Sequence, residues 1–141
     1  MTILVTGGCG FIGTNFISNW FQKSDEKIVN IDRMTYAANR FCIDTPPHRN
    51  LINLNVDITD GQSLRDIFHT HHPRAIVHFA AESHVDRSIV SADQFIQTNI
   101  NGTYELLVNS LSYLEGTAKD TRDIFRFIHV STDEVFGSLQ P

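Results

Sequence analysis

Two stretches of the sequence carry residues whose types and spacing could do chemistry. In the first, Thr132, Asp133 and Glu134 place a hydroxyl and two carboxylates in succession. Two carboxyl groups can divide acid and base work when their surroundings separate their pKa values. The same stretch satisfies the pattern Ser131-x-x-Glu134 of a helix capping box, in which the acid serves only to begin a helix. From spacing alone, both interpretations stay open.

The second stretch is a glycine-rich turn that follows a short apolar segment at residues 3–6. Gly8, Gly10 and Gly13 fit the pattern G-x-G-x-x-G, and Gly7, Gly10 and Gly13 fit the looser G-x-x-G-x-x-G. In either pattern one glycine permits a tight turn, one lets the backbone approach a pyrophosphate, and one lets the helix pack close to the strand. The helix that follows offers free N–H groups and a positive dipole end. The turn therefore predicts a pyrophosphate site.

Asp32 ends the next apolar segment, nineteen positions after Gly13. A carboxylate at about this spacing binds the ribose hydroxyls of a dinucleotide, although Asp is also common where a strand ends in a turn. A carboxylate at this position repels a 2′-phosphate, which favours NAD over NADP. The adjacent Arg33 weakens that preference.

Predicted strands and helices alternate along the whole sequence. Apolar runs predict strands, and a 3.6-residue period predicts helices. The strands are expected near 3–6, 27–32, 51–56, 75–79 and 126–130, and the helices near 11–25, 63–72 and 91–115. The alternation predicts an α/β fold, a doubly wound parallel sheet of Rossmann-like strand order 3-2-1-4-5, within one domain at 1–141. Ligands of such sheets bind at the carboxyl ends of the strands, near the switch between strands one and four.

Polar or small residues follow the predicted strands at that edge. Asp57 follows the third strand, where it could contact an adenine or begin a helix, and Asp60 is a candidate N-cap for the next helix. Small residues from Ala80 to Ser83 follow the fourth strand and leave room for a ligand. Because the glycine turn and the acid pair also follow strands, we expect all these segments to converge.

Composition excludes several function classes. The 141 residues are 41% hydrophobic and 19% charged, as in a soluble globular protein, and the formal net charge is -5. No basic run is present, so nucleic acid and anionic membranes are not expected as partners. Neither a signal peptide nor an apolar run of about 18–20 residues is recognisable. The two cysteines lack C-x-x-C spacing, which suits a reducing cytoplasm.

Two further features allow a functional and a structural interpretation. Cys9 lies in the glycine turn and could be a reactive thiol, but a small residue packed in a tight turn is favoured. His69, His71 and His72 could suggest a metal site. A solvated helix end, with cations near the negative dipole terminus, is favoured, so no metal is expected.

Four segments together are similar to those of one enzyme family: residues 7–13, 32–39, 80–89 and 131–137. On these segments the chain resembles the dTDP-glucose 4,6-dehydratase family of the extended short-chain dehydrogenase/reductase superfamily. The resemblance runs through nearly the whole chain but covers only the N-terminal part of a typical member. The Thr-Asp-Glu triplet discriminates best, because sugar epimerases of the superfamily lack the acid pair.

The resemblance implies an NAD site and a nucleotide-sugar site. Besides the glycines Gly7, Gly10 and Gly13, the implied NAD contacts are Phe11, Ile12, Asp32, Arg33, Met34, Thr35, Asp57, Ile58, Phe79, Ala80, Ala81, Glu82, Ser83 and Thr98. Ser83 and Thr132 are implied to face the substrate.

The family's reaction converts dTDP-glucose to dTDP-4-keto-6-deoxyglucose and water. In it, hydride leaves C4 of the glucosyl ring for NAD+, the residue at Glu134 takes the C5 proton, and the residue at Asp133 protonates the departing C6 hydroxyl. Hydride then returns to C6. Loss of water needs one proton removed and one delivered on neighbouring carbons, which accounts for the acid pair.

The sequence departs from the family in two ways. Phe136 stands where members commonly have Tyr, and the Tyr-x-x-x-Lys pair of the oxidation step is missing. The three tyrosines, Tyr36, Tyr104 and Tyr113, are followed four positions later by Arg40, Val108 and Thr117. We therefore expect an N-terminal piece, without the C-terminal substrate-binding region, that has negligible activity alone.

The alternatives are a UDP-glucose 4,6-dehydratase and a non-catalytic NAD-binding or interaction module. The resemblance to the family also implies a homodimer whose interface is formed partly by the helix near 91–115. The fifth strand is expected to leave an apolar edge that invites self-association.

Overall fold

The computed structural model describes residues 1–36, 38–39, 48–84 and 91–137 of the chain. Within these residues, five strands form one sheet of order β3-β2-β1-β4-β5, and every neighbouring pair is parallel. The strands are β1 (Thr2–Thr6), β2 (Lys27–Asp32), β3 (Leu51–Asn55), β4 (Ala75–His78) and β5 (Arg126–His129). The predicted fold class and strand order are confirmed.

The helices lie between these strands. They are α1 (Phe11–Phe21), α2 (Gly61–His71), α3 (Ala92–Phe95), a π-helical segment (Ile96–Gly102), α4 (Thr103–Glu115), α5 (Lys119–Ile124) and a 3₁₀ turn (Asp133–Phe136). The predicted helix near 91–115 is thus a helical run in three parts. Gly102 falls where the π-helical segment ends, and a Cβ there would collide with the Ile58 side chain. Glycine lets this helix lie close to Ile58.

Both faces of the sheet are covered, because successive residues of a strand point to opposite sides. Leu4 of β1 belongs to one buried cluster, which includes Phe68 of α2 and Leu106 of α4. Its neighbours Ile3 and Val5 belong to a second cluster. The second cluster also contains Ile17 of α1, and the partly buried Trp20 of the same helix packs against it. The near-continuous apolar sequence of the central strands follows from this two-sided burial.

Several boundaries differ from those predicted, by a few residues each. Helix α1 ends at Phe21, and β3, β4 and β5 each end one residue earlier than predicted. Asp60 does cap α2, since its carboxylate accepts from the backbone N–H groups of Gln62 and Ser63 at 3.1 Å each. Helix α5 was not predicted, because at six residues it is too short and polar to show a period.

Strand β5 lies at an edge of the sheet that the described residues form. Its Ile128 is 50% exposed, and Val130, just beyond it, is 41% exposed. The expected apolar edge is therefore present. None of the described helices is both long and apolar enough to cross a membrane.

Candidate functional site

A cleft opens at the carboxyl edge of the sheet, where β1, β2, β3 and β4 end. Its volume is about 110 Å³, below the roughly 300–1,000 Å³ of a complete small-molecule site. The lining residues lie at or just after the ends of four strands, with Thr98 added from the π-helical segment. They are Gly7, Gly10, Ile31, Asp32, Arg33, Thr35, Ala38, Val56, Asp57, Ile58, Phe79, Ala80, Ala81, Glu82 and Thr98. The cleft sits at the switch point between β1 and β4, where the sequence places a ligand.

The glycine turn forms the floor of this cleft by close backbone packing. Gly7 has φ of 70°, and a Cβ on it would lie 2.6 Å from the backbone nitrogen of Ala80. A Cβ on Gly13 would collide with the Gly7 carbonyl. The turn closes with a 3.0 Å hydrogen bond from Gly10 N to Gly7 O. The predicted tight turn and close helix packing are thus both visible.

A buried asparagine that the sequence analysis missed holds the turn from below. Asn30 is 1% exposed, and its Oδ1 accepts from Gly8 N at 2.9 Å. Its Nδ2 donates to Asn53 Oδ1 at 3.0 Å and to Cys9 Sγ at 3.3 Å. Cys9 is fully buried, which favours its packing role over a reactive thiol. An Asn within the apolar run of β2 was the available signal.

Asp32 joins the glycine turn to the chain that follows β2. Its Oδ2 accepts from Cys9 N at 2.9 Å, and its Oδ1 accepts from Met34 N at 2.8 Å. Met34 has φ of 55°, a left-handed conformation that this hydrogen bond helps to hold. A carboxylate has about four acceptor positions, so Asp32 can still accept hydrogen bonds from a ligand.

Arg33 lies in the cleft between two carboxylates from different strands. Its Nη1 is 3.1 Å from Asp57 Oδ2, and its Nη2 is 3.1 Å from Glu82 Oε1. Burial raises the pKa of Asp57, but hydrogen bonds from Thr59 and Arg33 outweigh it and hold that pKa below its ordinary value.

Asn99 fixes the loop after β4, on which Glu82 lies. Its side-chain amide bonds both backbone groups of Glu82, at 2.8 Å to the nitrogen and 2.9 Å to the oxygen. Nothing local in the sequence marks Asn99 as a functional residue, because its partner is 17 residues away.

A buried histidine ties the same loop to β1 and α4. His78 Nδ1 is 2.6 Å from Thr6 Oγ1, and Nε2 is 3.0 Å from Thr103 Oγ1. Thr6 Oγ1 also accepts from Ala80 N at 3.3 Å. Burial, with a smaller contribution from His129, lowers the pKa of His78 to about 4. The ring is therefore neutral at pH 7, and Thr6 can donate to Nδ1 while Nε2 donates to Thr103.

Thr98 brings a hydroxyl to the cleft that has no hydrogen-bond partner among the described residues. The residue is 8% exposed. A buried hydroxyl without a partner is costly, by about 1–3 kcal/mol, and in a binding cleft it points to a ligand.

Some residues predicted to contact a cofactor lie outside the cleft lining. Phe11 and Ile12 begin α1 and are 84% and 58% exposed. Met34 and Ser83 also fall outside the lining, and Gly13 packs beneath the turn. The lining adds three residues that were not predicted: Ile31, Ala38 and Val56. Ile31 and Val56 directly precede the predicted Asp32 and Asp57, so the strand ends were their signal.

The acid-containing stretch follows β5 and is open to solvent. Ser131, Thr132 and Asp133 are exposed, and Thr132 Oγ1 donates to Asp133 Oδ1 at 3.3 Å. The 3₁₀ turn Asp133–Phe136 contains the backbone of Glu134, whose side chain lies outside what the structure describes. Parts of the similar segments at 32–39 and 80–89 also lie outside the described residues. No cluster of metal-ligating residues occurs in the part of the chain that is described.

Comparison with known proteins gives consistent matches. The family model described as GDP-mannose 4,6 dehydratase matches residues 4–141. The dTDP-glucose 4,6-dehydratase 1 of Escherichia coli (strain K12) is 44% identical over 140 residues, which are 99% of this chain and 39% of that protein. The chain thus spans about two fifths of the length of the curated relatives it matches.

Two solved dTDP-glucose 4,6-dehydratases share the fold. That of Streptomyces venezuelae, solved with NAD bound, superimposes with a TM-score of 0.85 at 37% identity, covering 100% of this chain and 42% of that one. That of Bacillus anthracis, in complex with NAD, gives 0.80 at 34% identity, covering 99% of this chain and 40% of that one.

Proposed function

Because the chain belongs to the GDP-mannose 4,6 dehydratase family, we propose that it is the NAD-binding part of a dTDP-glucose 4,6-dehydratase. The named relatives and the two NAD-bound structures support this assignment. The proposed domain covers residues 1–141, and its proposed place is the cytoplasm, where both cysteines stay reduced.

One observation carries the proposal: the glycine turn, Asp32 and the Thr98 hydroxyl, which has no partner in the described part of the chain, meet in one cleft at the switch point of the sheet. The residues fit a dinucleotide. The turn is so closely packed that a side chain on Gly7 or Gly13 would collide with backbone atoms. Such a turn presents backbone N–H groups to a pyrophosphate. The Thr98 hydroxyl gains a partner when a polar ligand enters.

The proposed contacts follow from these positions. Asp32 accepts from the ribose hydroxyls, the glycine turn holds the pyrophosphate, and Ile58 and Ala80 bound the adenine side of the cleft. Exposed Phe11 and Ile12 lie at the start of α1, where the phosphates approach the helix N-terminus. When bound, NAD supplies the hydride acceptor and donor that the C4 and C6 carbons of the sugar need.

The acid-containing stretch is proposed to handle the protons. Asp133 delivers a proton to the departing C6 hydroxyl, and Glu134 removes the C5 proton. Thr132 and Ser83 are proposed to face the sugar. All four roles come from the resemblance of residues 80–89 and 131–137 to the family. Thr132 and Asp133 are exposed. We propose that their surroundings are completed by a segment that corresponds to the part of the relatives that this chain does not match.

The experiment has two arms on the purified 141-residue chain. Calorimetric titration with NAD+ is expected to show saturable binding that Asp32→Ala weakens at least tenfold. Incubation with dTDP-glucose and NAD+ is expected to give no 4-keto-6-deoxy sugar, because the sequence holds no Tyr-x-x-x-Lys pair. No NAD+ binding contradicts the cofactor assignment, and ready product formation contradicts the assigned dependence on that pair.

The alternative substrate, UDP-glucose, is tested on the full-length protein. None of the described residues that line the cleft is expected to contact the nucleotide base of the sugar donor. Turnover of dTDP-glucose well above that of UDP-glucose supports the proposal, and the reverse order replaces it. Binding of NAD with no turnover of either sugar by the full-length protein favours a non-catalytic module.

We also propose that a second copy of the chain covers one exposed face of the α3–α4 helical run. Ile96, Ile100, Tyr104 and Leu111 recur at helical spacing and are 48–63% exposed, so they form an apolar stripe on one side. Sedimentation is expected to show a dimer that Leu111→Glu disrupts. Ile128→Glu, on the β5 edge, is the control and leaves the dimer. Dissociation only with the control assigns association to the edge.

A further inference from the structure

The position of Arg33 bears on which dinucleotide the cleft accepts. An arginine directly after Asp32 could bind a phosphate on the 2′ position of an adenosine ribose, since guanidinium groups favour phosphate. Arg33 therefore weakens the preference for NAD over NADP that Asp32 gives. Whether the Arg33 guanidinium is available to a 2′-phosphate depends on the contacts that it already makes.

Both ends of the guanidinium are already engaged by carboxylates. Nη1 contacts Asp57, which follows β3, and Nη2 contacts Glu82, which follows β4, each at 3.1 Å. The Glu82 side chain is only 9% exposed. Its backbone is held by Asn99, so it cannot easily follow Arg33 elsewhere. Moving Arg33 to a phosphate would leave a largely buried carboxylate without its cation, which is costly.

The charges around the cleft also disfavour a 2′-phosphate. Among the described lining residues, Asp32, Asp57 and Glu82 are acidic, and Arg33 is the one cation. A 2′-phosphate would bring about two further negative charges next to Asp32. A ribose with a free 2′-hydroxyl brings none and can donate to Asp32.

We propose that Asp57 and Glu82 are specificity-determining residues: by holding Arg33 between them, they withhold its guanidinium from a 2′-phosphate. This role rests on the proposed dinucleotide binding and goes beyond it. Asp57 and Glu82 act here through Arg33, in addition to any direct contact with the adenosine.

The test compares two ligands that differ only in the 2′-phosphate: adenosine 5′-monophosphate and adenosine 2′,5′-bisphosphate. The readout is the ratio of their dissociation constants, measured by calorimetry on the 141-residue chain. Asp57→Asn and Glu82→Gln together release Arg33 while keeping side-chain oxygens in place. The ratio is expected to shift about tenfold towards the bisphosphate, since one charge-assisted contact becomes available.

A third substitution separates release of Arg33 from the mere loss of two negative charges. Adding Arg33→Met to the double variant is expected to abolish the shift, whereas Arg33→Met alone, which keeps the three acidic side chains, is expected to give no shift towards the bisphosphate. A shift that persists in the triple variant overturns the proposal, because general repulsion then explains it. An unchanged ratio in the double variant overturns it as well.

The outcomes also separate this inference from the proposed function. If the wild-type chain binds neither NAD+ nor adenosine 5′-monophosphate, the dinucleotide site itself is wrong, and the inference falls with it. If the chain binds both and the double variant leaves the ratio unchanged, only the role of Asp57 and Glu82 is wrong. Circular dichroism of each variant shows that the fold is retained.

Discussion

The cleft and the acid-containing stretch both follow strands at the same edge of the sheet, yet they differ in how they are held. In the cleft, Asp32 accepts from two backbone N–H groups, Asn30 supports the glycine turn, and Asn99 fixes the loop after β4. In the other stretch, Thr132 and Asp133 are exposed. The cleft is therefore held by hydrogen bonds between segments that lie far apart in the sequence.

The contrast follows from position in the sheet. Three of the four strands that end at the cleft, β1, β2 and β4, have a neighbouring strand on each side. The acid-containing stretch follows β5, whose outer side is open in the described part of the chain. A parallel strand normally gains neighbours on both sides and cover on both faces. We expect the two regions to respond very differently to equivalent substitutions.

The largest contrast is expected for two glycines in left-handed conformations. Gly7 has φ of 70° and Gly137 has φ of 78°. A Cβ on Gly7 would collide with backbone atoms of Ala80, whereas one on Gly137 meets no atom of the described residues. Alanine at either site adds backbone strain of about 1–2 kcal/mol. Gly7→Ala also overpacks the floor of the cleft, so we expect it to lower the free energy of unfolding by about 2–5 kcal/mol. Urea unfolding measures both variants. Equal losses would refute the contrast.

The next effect concerns pH and the buried histidine beneath the cleft. The pKa of His78 falls from 6.5 to about 4 on folding, so the unfolded chain binds a proton that the folded chain does not. The free energy of unfolding should therefore fall as the pH is lowered from about 6.5 to 4, by up to about 3 kcal/mol from this residue. The groups that face His78 are Thr6, Thr103, His129 and Phe127.

Two histidine variants isolate that contribution from the carboxylates that also titrate. His78→Gln should flatten the pH dependence relative to the wild type between pH 6.5 and 4. His129→Gln should keep most of it, because burial is the larger cause of the shift. A wild-type slope in His78→Gln would contradict the assignment.

A smaller contrast is expected for two aspartates that differ in their contacts. Asp32→Asn replaces a charged acceptor of two backbone N–H groups, and we expect it to cost about 2 kcal/mol of unfolding free energy. Asp133→Asn, at an exposed position, should change it by less than about 0.5 kcal/mol. Thermal and urea unfolding of the pair give the comparison. A cost at Asp133 equal to that at Asp32 would mean that the second region is held as firmly as the first.

The smallest effect has opposite signs for stability and binding. Thr98→Val removes a hydroxyl that has no partner among the described residues and keeps the side-chain shape. We expect the free energy of unfolding to rise by about 1 kcal/mol and the affinity for NAD+ to fall about fivefold. Calorimetry and urea unfolding provide the two numbers. A loss of stability with unchanged affinity would make Thr98 a structural residue.

The sequence predicted the sheet because its signals are local. Apolar runs, the glycines and Asp60 each act within a few positions, so strand order and the cap of α2 could be predicted. Asp32 could be placed at the cleft because its spacing from Gly13 is that of one helix and one strand in a dinucleotide-binding unit. The supporting contacts are different in kind. Asn99 reaches Glu82 across 17 residues, and Thr6 reaches His78 across 72. Polar contacts of this type depend on how helices and strands meet, which no local pattern records.

Arg33 shows the same limit at a single residue. Its place after Asp32 suggested a partner for a phosphate, but its contacts lie 24 and 49 positions away, at Asp57 and Glu82. Which anion an arginine serves depends on the carboxylates that the fold brings to it. Arg33 could be identified from the sequence, but its contacts with Asp57 and Glu82 could be identified only from the fold.

We propose that NAD binds in the cleft and makes few contacts with the acid-containing stretch of this chain. The most direct measurement is a titration of the ¹⁵N-labelled chain with NAD+, followed by the amide resonances. We expect the largest shifts at Gly7, Gly10, Asp32 and Thr98, and much smaller ones at residues 131–137. Shifts centred on Thr132 and Asp133, or none in the cleft at saturating NAD+, would contradict it.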